Sequence, residues 1–171
     1  MKKAIEVVAN IAIIVVCVFI CCIFIFRAGG LQTSGYLTGS SEPRLVGKTL
    51  WPFPTYQWAN HPKTMILALR VGCHFCEANI PFYRTLSELQ EQDKLNAHLL
   101  VVMPDDRLTA TKMLESSGLQ LDGLYGESLH ALNVSGTPTL MLLDNNGRIQ
   151  RAWVGQLDTD SENQVFRVLE K

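Results

Sequence analysis

The sequence lacks an excess of charge of either sign: 15 Lys+Arg face 16 Asp+Glu in 171 residues, a net charge of −1. No basic footprint for nucleic acid is present. Cysteine is scarce, five in the whole chain, which excludes a disulfide-dense scaffold. The 12 Gly and 7 Pro are scattered without a period, which excludes collagen-like and low-complexity classes. No internal repeat is visible. Apolar residues, by contrast, are plentiful: 47% of the chain is hydrophobic and only 18% charged, too apolar for disorder. The length fits one domain of ordinary size.

The N-terminus holds a disproportionate share of that hydrophobicity. Between Ala4 and Phe26 the only strongly polar residues are Glu6 and Asn10. A helix over that stretch is roughly 34 Å long, enough for a hydrocarbon core of about 30 Å. Lys2 and Lys3 precede it and a single Arg27 follows, so the positive-inside rule places the N-terminus in the cytoplasm. A cleaved signal peptide is the competing reading, but the run ends in bulky Phe24-Ile25-Phe26 and is long for a signal-peptide core. The expected organisation is a cytoplasmic N-terminus and transmembrane anchor over residues 1–27, a flexible linker over 28–44, and a folded domain over 45–171. Gly29, Gly30, Gly35 and Gly39, interleaved with Ser and Thr, make the linker. Cys17, Cys21 and Cys22 lie in the apolar run and are read as small hydrophobes.

Within the domain, short strands are expected over 45–51 and 55–58. Residues 64–71 form a nearly continuous apolar run suited to a strand buried on both faces. A helical stretch follows from the Cys73 region to about Gln92, with Phe82, Leu86 and Leu89 at helical spacing and Pro81 kinking it. Residues 98–103 are a second strand. Residues 107–117 read as a helix with Leu108, Met113 and Leu114 inward and Gly118 at its C-cap. A short strand over 120–124 and a short helix over 127–132 come next. Asn146-Gly147 closes a hairpin between strands 139–143 and 148–154, and a final helix over 158–170 carries Val165, Phe166 and Leu169 on one face. Strands separated by helices imply parallel pairs, and the hairpin adds an antiparallel strand. The expected class is α/β, a mixed sheet with helices on both faces.

Cys73-His74-Phe75-Cys76 holds the whole thiol complement of the domain, where an apolar strand ends and a helix opens. The two-residue gap lets the sulfurs meet within disulfide range. At a helix N-terminus the backbone N–H groups favour a thiolate, so Cys73 is the expected nucleophile and Cys76 the resolving thiol. A structural disulfide or half a zinc site are the alternatives. The zinc reading wants a second Cys or His pair, and His61, His74, His98 and His130 are dispersed. In Ser135-Gly136-Thr137-Pro138-Thr139, the Thr137–Pro138 bond is a candidate cis peptide in a tight turn before a strand.

Gly72-Cys73-His74-Phe75-Cys76, Pro81 after the second cysteine, and Gly136-Thr137-Pro138-Thr139 before an apolar strand and an Asn-Gly turn together resemble the thioredoxin superfamily. The N-terminal anchor and the inserted helix and strand between the motifs resemble its membrane-tethered TlpA/ResA-like branch. The resemblance covers about residues 45–171 and implies a thioredoxin-like three-layer α/β/α sandwich with a mixed sheet, preceded by one transmembrane helix. It implies that Cys73 attacks, Cys76 resolves, Pro138 is cis and packs against the pair, and Thr137 offers its backbone to an extended substrate segment. The chain departs from the pattern in three places. Gly72 stands where many relatives carry Trp, and Asn79 where many TlpA/ResA-like members carry Glu. His74 lies between the cysteines, where it could stabilise a thiolate and make the pair more oxidising.

The function expected from this resemblance is dithiol–disulfide exchange with protein substrates outside the cytoplasmic membrane. Reduction is the family default, with haem-attachment cysteines of apocytochromes among the substrates it suggests. An oxidase or isomerase of the same fold, or a non-enzymatic module binding a metal or a partner, are the alternatives. A tethered reductase needs electrons from an integral-membrane donor, and no organic cofactor or metal. Core packing is expected of Trp51, Trp58 and Trp153 in preference to a substrate rim. The Asn133-Val134-Ser135 sequon is read as chance, because a glycan there would block the site.

Overall fold

Six consecutive residues, Lys-Thr-Met-Ile-Leu-Ala, form the strand at the centre of the sheet, and all but the first are buried. Both faces of this strand are covered, which is why its sequence shows no polar alternation. The structure is a computed structural model that describes residues 40–50 and 56–170. In chain order its elements are β1 (Ser40–Ser41), a 3-10 turn (Trp58–Asn60), β2 (Lys63–Ala68), α1 (His74–Ala78), α2 (Ile80–Glu91) and β3 (His98–Val102). There follow α3 (Arg107–Ser116), β4 (Gly123–Tyr125), β5 (Thr139–Asp144), β6 (Ile149–Val154) and α4 (Thr159–Leu169). The expected membrane anchor and most of the expected linker lie outside the described residues. Among the described residues no helix is long and apolar enough to cross a membrane.

The sheet runs β1-β6-β5-β2-β3-β4. β2, β3 and β4 are parallel neighbours, with Ala68 opposite Val102 and Val102 opposite Tyr125. β5 lies antiparallel to β2, Ala68 opposite Thr139, and forms a hairpin with β6 through the turn at Gly147, whose φ of +73° suits glycine. β1 pairs with the end of β6, Ser40 opposite Val154, so the sheet begins before residue 45, the expected start of the domain.

The expectation of helices on both faces is corrected. Residues from α1, α2, α3 and α4 share one core with Met65, Leu67, Leu99, Val101, Leu140 and Leu142 on one side of the sheet. The steps from β2 to β3 and from β3 to β4 go the same way across the sheet, and right-handed crossovers then put their helices on the same face. Among the described residues, the other face is covered by Leu45, Leu50, Tyr56 and Trp58 and by Leu129, Leu132 and Val134. The third layer is therefore made of turns. Residues 45–50 form no strand but a single bridge, Thr49 to Arg148, while Trp58 opens the 3-10 turn; residues 51–55 lie outside the described residues. Residues 127–132 form no helix either. Turn bonds such as Ala131 N–H to Ser128 O end at Asn133, which has φ +55°.

Two local expectations also change. The stretch after Cys73 is two helices that meet at Asn79, and Pro81 sits in the first turn of α2, where its missing N–H costs no helical bond. In α3 Ala110 and Leu114 are buried and Met113 packs against the same core as expected, but Leu108 is 65% exposed because it lies on the opposite face.

Candidate active site

β2 ends at Ala68, and the chain turns through Gly72, at φ +68°, into α1. Cys73 is the N-cap of α1, with extended backbone, and its Sγ accepts the N–H of Cys76 at 3.2 Å. The two cysteines are disulfide-bonded, with Cα atoms 5.2 Å apart. Cys76 is completely buried and Cys73 is 8% exposed. The asymmetry follows from position: the first cysteine precedes the helix, and the second faces the core it shares with Tyr83 and Trp153.

The other wall of the site comes from the loop before β5. The Thr137–Pro138 peptide is cis, as expected, and Pro138 is buried. Thr137 Oγ1 donates to Cys73 Sγ at 3.3 Å, and the Thr137 carbonyl oxygen lies 3.4 Å from the same sulfur. The loop is fixed by Thr139 Oγ1 donating to Gly136 O at 2.8 Å and by Gly155 N–H donating to Pro138 O at 2.8 Å. Cys73 Sγ thus has one backbone and one hydroxyl donor aimed at it, an arrangement that favours a thiolate.

His74 is exposed and its ring meets Phe75 edge-on at 5.6 Å, on the outer side of α1. The structure brings together Cys73, Cys76, Thr137 and Pro138, and sets His74 beside them without a hydrogen bond to either sulfur. Trp153, 1% exposed, is core as expected. Trp58 packs against Gly147 at the opposite end of the sheet, and Trp51 lies outside the described residues.

Asn79 has a role that spacing did not reveal. It is 2% exposed at the α1–α2 junction, accepts the Leu157 N–H at 3.1 Å through Oδ1, and donates through Nδ2 to Tyr83 Oη at 3.2 Å. This neutral bridge ties the floor under Cys76 to the segment before α4. Burial pushes the Tyr83 hydroxyl pKa well up, and the Asn79 hydrogen bond offsets this only in part. No carboxylate takes part in that bridge.

A second polar cluster lies at the far end of β2 and β3. Tyr56 Oη contacts Thr64 Oγ1 at 2.8 Å and His98 Nδ1 at 3.0 Å, and His98 Nε2 lies 3.3 Å from Asp122. His61 stacks on His98 with ring centroids 4.0 Å apart. Burial pushes Tyr56 up to about 12. Burial lowers the His98 pKa, Asp122 opposes that, and His61 reinforces it. Neither this cluster nor any other among the described residues groups three or more His, Cys, Asp or Glu as metal ligands.

No family model matches the sequence, and no curated protein matches it. Solved structures do. The thioredoxin domain of a thiol-disulfide oxidoreductase from Bacteroides vulgatus superposes with a TM-score of 0.51 at 18% identity, over 78% of this chain and 98% of that one. A thiol-disulfide isomerase from Corynebacterium glutamicum gives 0.53 at 12% identity, over 79% and 94%. A thiol:disulfide interchange protein from a Bacteroides species gives 0.51 at 17% identity, over 78% and 90%. At these identities the likeness establishes architecture, and the element order, the Cys73–Cys76 pair and the Thr137–Pro138 loop beside it agree with it: the chain has a thioredoxin-like fold.

Proposed function

We propose that the protein is a membrane-tethered, extracytoplasmic thiol-disulfide oxidoreductase that exchanges the Cys73–Cys76 dithiol and disulfide with protein substrates. The observation that carries this is the pair itself: two cysteines bridged at a Cα separation of 5.2 Å, the first with two hydrogen-bond donors on its sulfur. In the reducing direction the Cys73 thiolate attacks a substrate disulfide. A Cys73–substrate disulfide forms and one substrate thiolate leaves. Cys76 then gives up its proton and attacks Cys73 Sγ, forming the Cys73–Cys76 disulfide and releasing the second substrate thiolate. The substrate gains two electrons, and a dithiol donor in the membrane restores the pair. Thr137, beside Cys73, presents backbone to an extended substrate segment. The apolar segment over residues 4–26 supports the tether, and the charge bias around it supports an outward-facing domain.

Oxidation of substrates is the second reading, and the donors on Cys73 Sγ favour it, because stabilising the thiolate stabilises the reduced form and makes a pair more oxidising. The reduction potential decides. Equilibration against glutathione or dithiothreitol giving about −250 mV or lower supports the reductase; about −120 to −180 mV supports an oxidase or isomerase. Failure to form the disulfide at any poise refutes exchange, and a tightly bound metal would then favour the metal-binding module.

A further inference from the structure

The turn that carries the nucleophile is held from a distance. β2 makes its last bond to β3 through Leu69 N–H to Val102 O at 3.0 Å, and the chain then leaves the sheet. Arg70 and Gly72 are exposed, Gly72 has φ +68°, and a Cβ built on Gly72 would meet nothing within 4 Å. Among the described residues no side chain lies over Gly72, while the Val71 side chain packs against the core. Between Arg70 and Gly72, the Val71 N–H donates to Asp105 Oδ2 at 3.0 Å, across 34 positions of sequence. Asp105 follows β3 in a turn whose next residue, Asp106, caps α3 by accepting the Thr109 N–H at 3.0 Å. Adjacent carboxylates thus divide the work: Asp106 starts a helix, and Asp105 reaches back to the chain two residues before Cys73.

We propose that Asp105 is a positioning residue for Cys73, coupled to the redox state of the pair. The inference rests on the exchange reading above. The Asp105–Val71 bond and the Cys73–Cys76 disulfide both fix the segment from Val71 to Cys73. Two constraints that favour one loop geometry reinforce each other, and the coupling is reciprocal. Removing Asp105 therefore weakens the disulfide relative to the dithiol, and reducing the disulfide weakens the Asp105–Val71 bond by the same factor. The bond is to a carboxylate acceptor, and part of its free energy appears as coupling, on the order of a three- to tenfold effect.

The test uses the full chain with D105A and D105N. The equilibrium constant for Cys73–Cys76 disulfide formation from glutathione disulfide is measured with peptide mass spectrometry, which separates this pair from Cys17, Cys21 and Cys22. Val71 amide hydrogen exchange is measured in both redox forms. The proposal predicts a roughly three- to tenfold lower constant in D105A, near-complete rescue in D105N, which keeps the acceptor oxygen, and Val71 exchange that accelerates on reduction by a matching factor. An unchanged constant in D105A with only a lower melting temperature would make Asp105 a plain structural anchor and overturn the proposal. So would D105N behaving as D105A, which would assign the effect to charge. Loss of exchange with protein substrates, with these couplings intact, refutes the function and leaves the positioning role. If the pair forms no disulfide, equal Val71 protection in wild type and D105A overturns it.

Discussion

Replacing Asn79 by leucine keeps the volume at the α1–α2 junction and removes both of its side-chain hydrogen bonds. The Leu157 N–H, which Asn79 Oδ1 accepts at 3.1 Å, loses its partner in a buried setting. The Tyr83 hydroxyl loses its donor at 3.2 Å, on a residue with no exposed surface. Each buried polar group left unpaired costs about 1–3 kcal/mol, so the two together cost about 2–6 kcal/mol. That is a large part of the roughly 5–15 kcal/mol that holds a domain together. For a domain of about 130 residues, 1 kcal/mol corresponds to about 4 °C, so the melting temperature of the disulfide form falls by about 8–24 °C. Thermal unfolding by circular dichroism measures it. Tyr83→Phe removes one of the two stranded groups in advance, so the double variant loses less than the sum of the single losses. A fall under about 3 °C, or strict additivity, would show that the bridge carries no stability and refute the reasoning.

Two further outcomes follow from the same geometry. The stability that His98 contributes is fully present above its unfolded pKa of 6.5 and falls as the pH drops from there toward its lower folded value, because the unfolded chain then binds the extra proton. Tyr56 contributes in the opposite range: its share is present below pH 10 and is lost as the pH rises from 10 to about 12. Urea titrations from pH 5 to 11 should give a stability plateau between these limits, and His98→Gln should flatten its acid side. Thr137→Val removes the hydroxyl donor from Cys73 Sγ, so the Cys73 thiol of the reduced protein should titrate at higher pH, read from thiolate absorbance; an unmoved midpoint would rule out that donor as a stabiliser.

Much of the site is legible in the chain because its signals are local. The apolar run that becomes β2, the glycine at its end and the cysteine spacing together dictate a buried strand that turns into a helix. Gly136-Thr137-Pro138 marks the facing loop. The rest depends on strand order. Both crossover helices lie on one face because β2, β3 and β4 step in one direction, and no residue pattern encodes that direction. Asn79 meets Leu157 across 78 positions, Val71 meets Asp105 across 34, and Tyr56 meets His98 across 42. Each contact joins distant positions through a polar side chain that no periodicity announces. Asn79 drew notice only as a departure from a family pattern, which said nothing of its partners. Leu108 misled because the inward face of α3 is set by how the helix docks on the sheet through Ala110 and Leu114, which an apolar residue on the opposite side does not reveal.

The central claim is that Cys73 attacks and Cys76 resolves. Trapping tests it directly, in chains whose Cys17, Cys21 and Cys22 are replaced by alanine. Reduced Cys76→Ser is incubated with a disulfide-containing protein such as insulin and quenched with acid. The account predicts a covalent adduct linked through Cys73, identified by peptide mass spectrometry, and none with Cys73→Ser. An adduct that forms through Cys76 in the Cys73→Ser chain, with none in the Cys76→Ser chain, would contradict it.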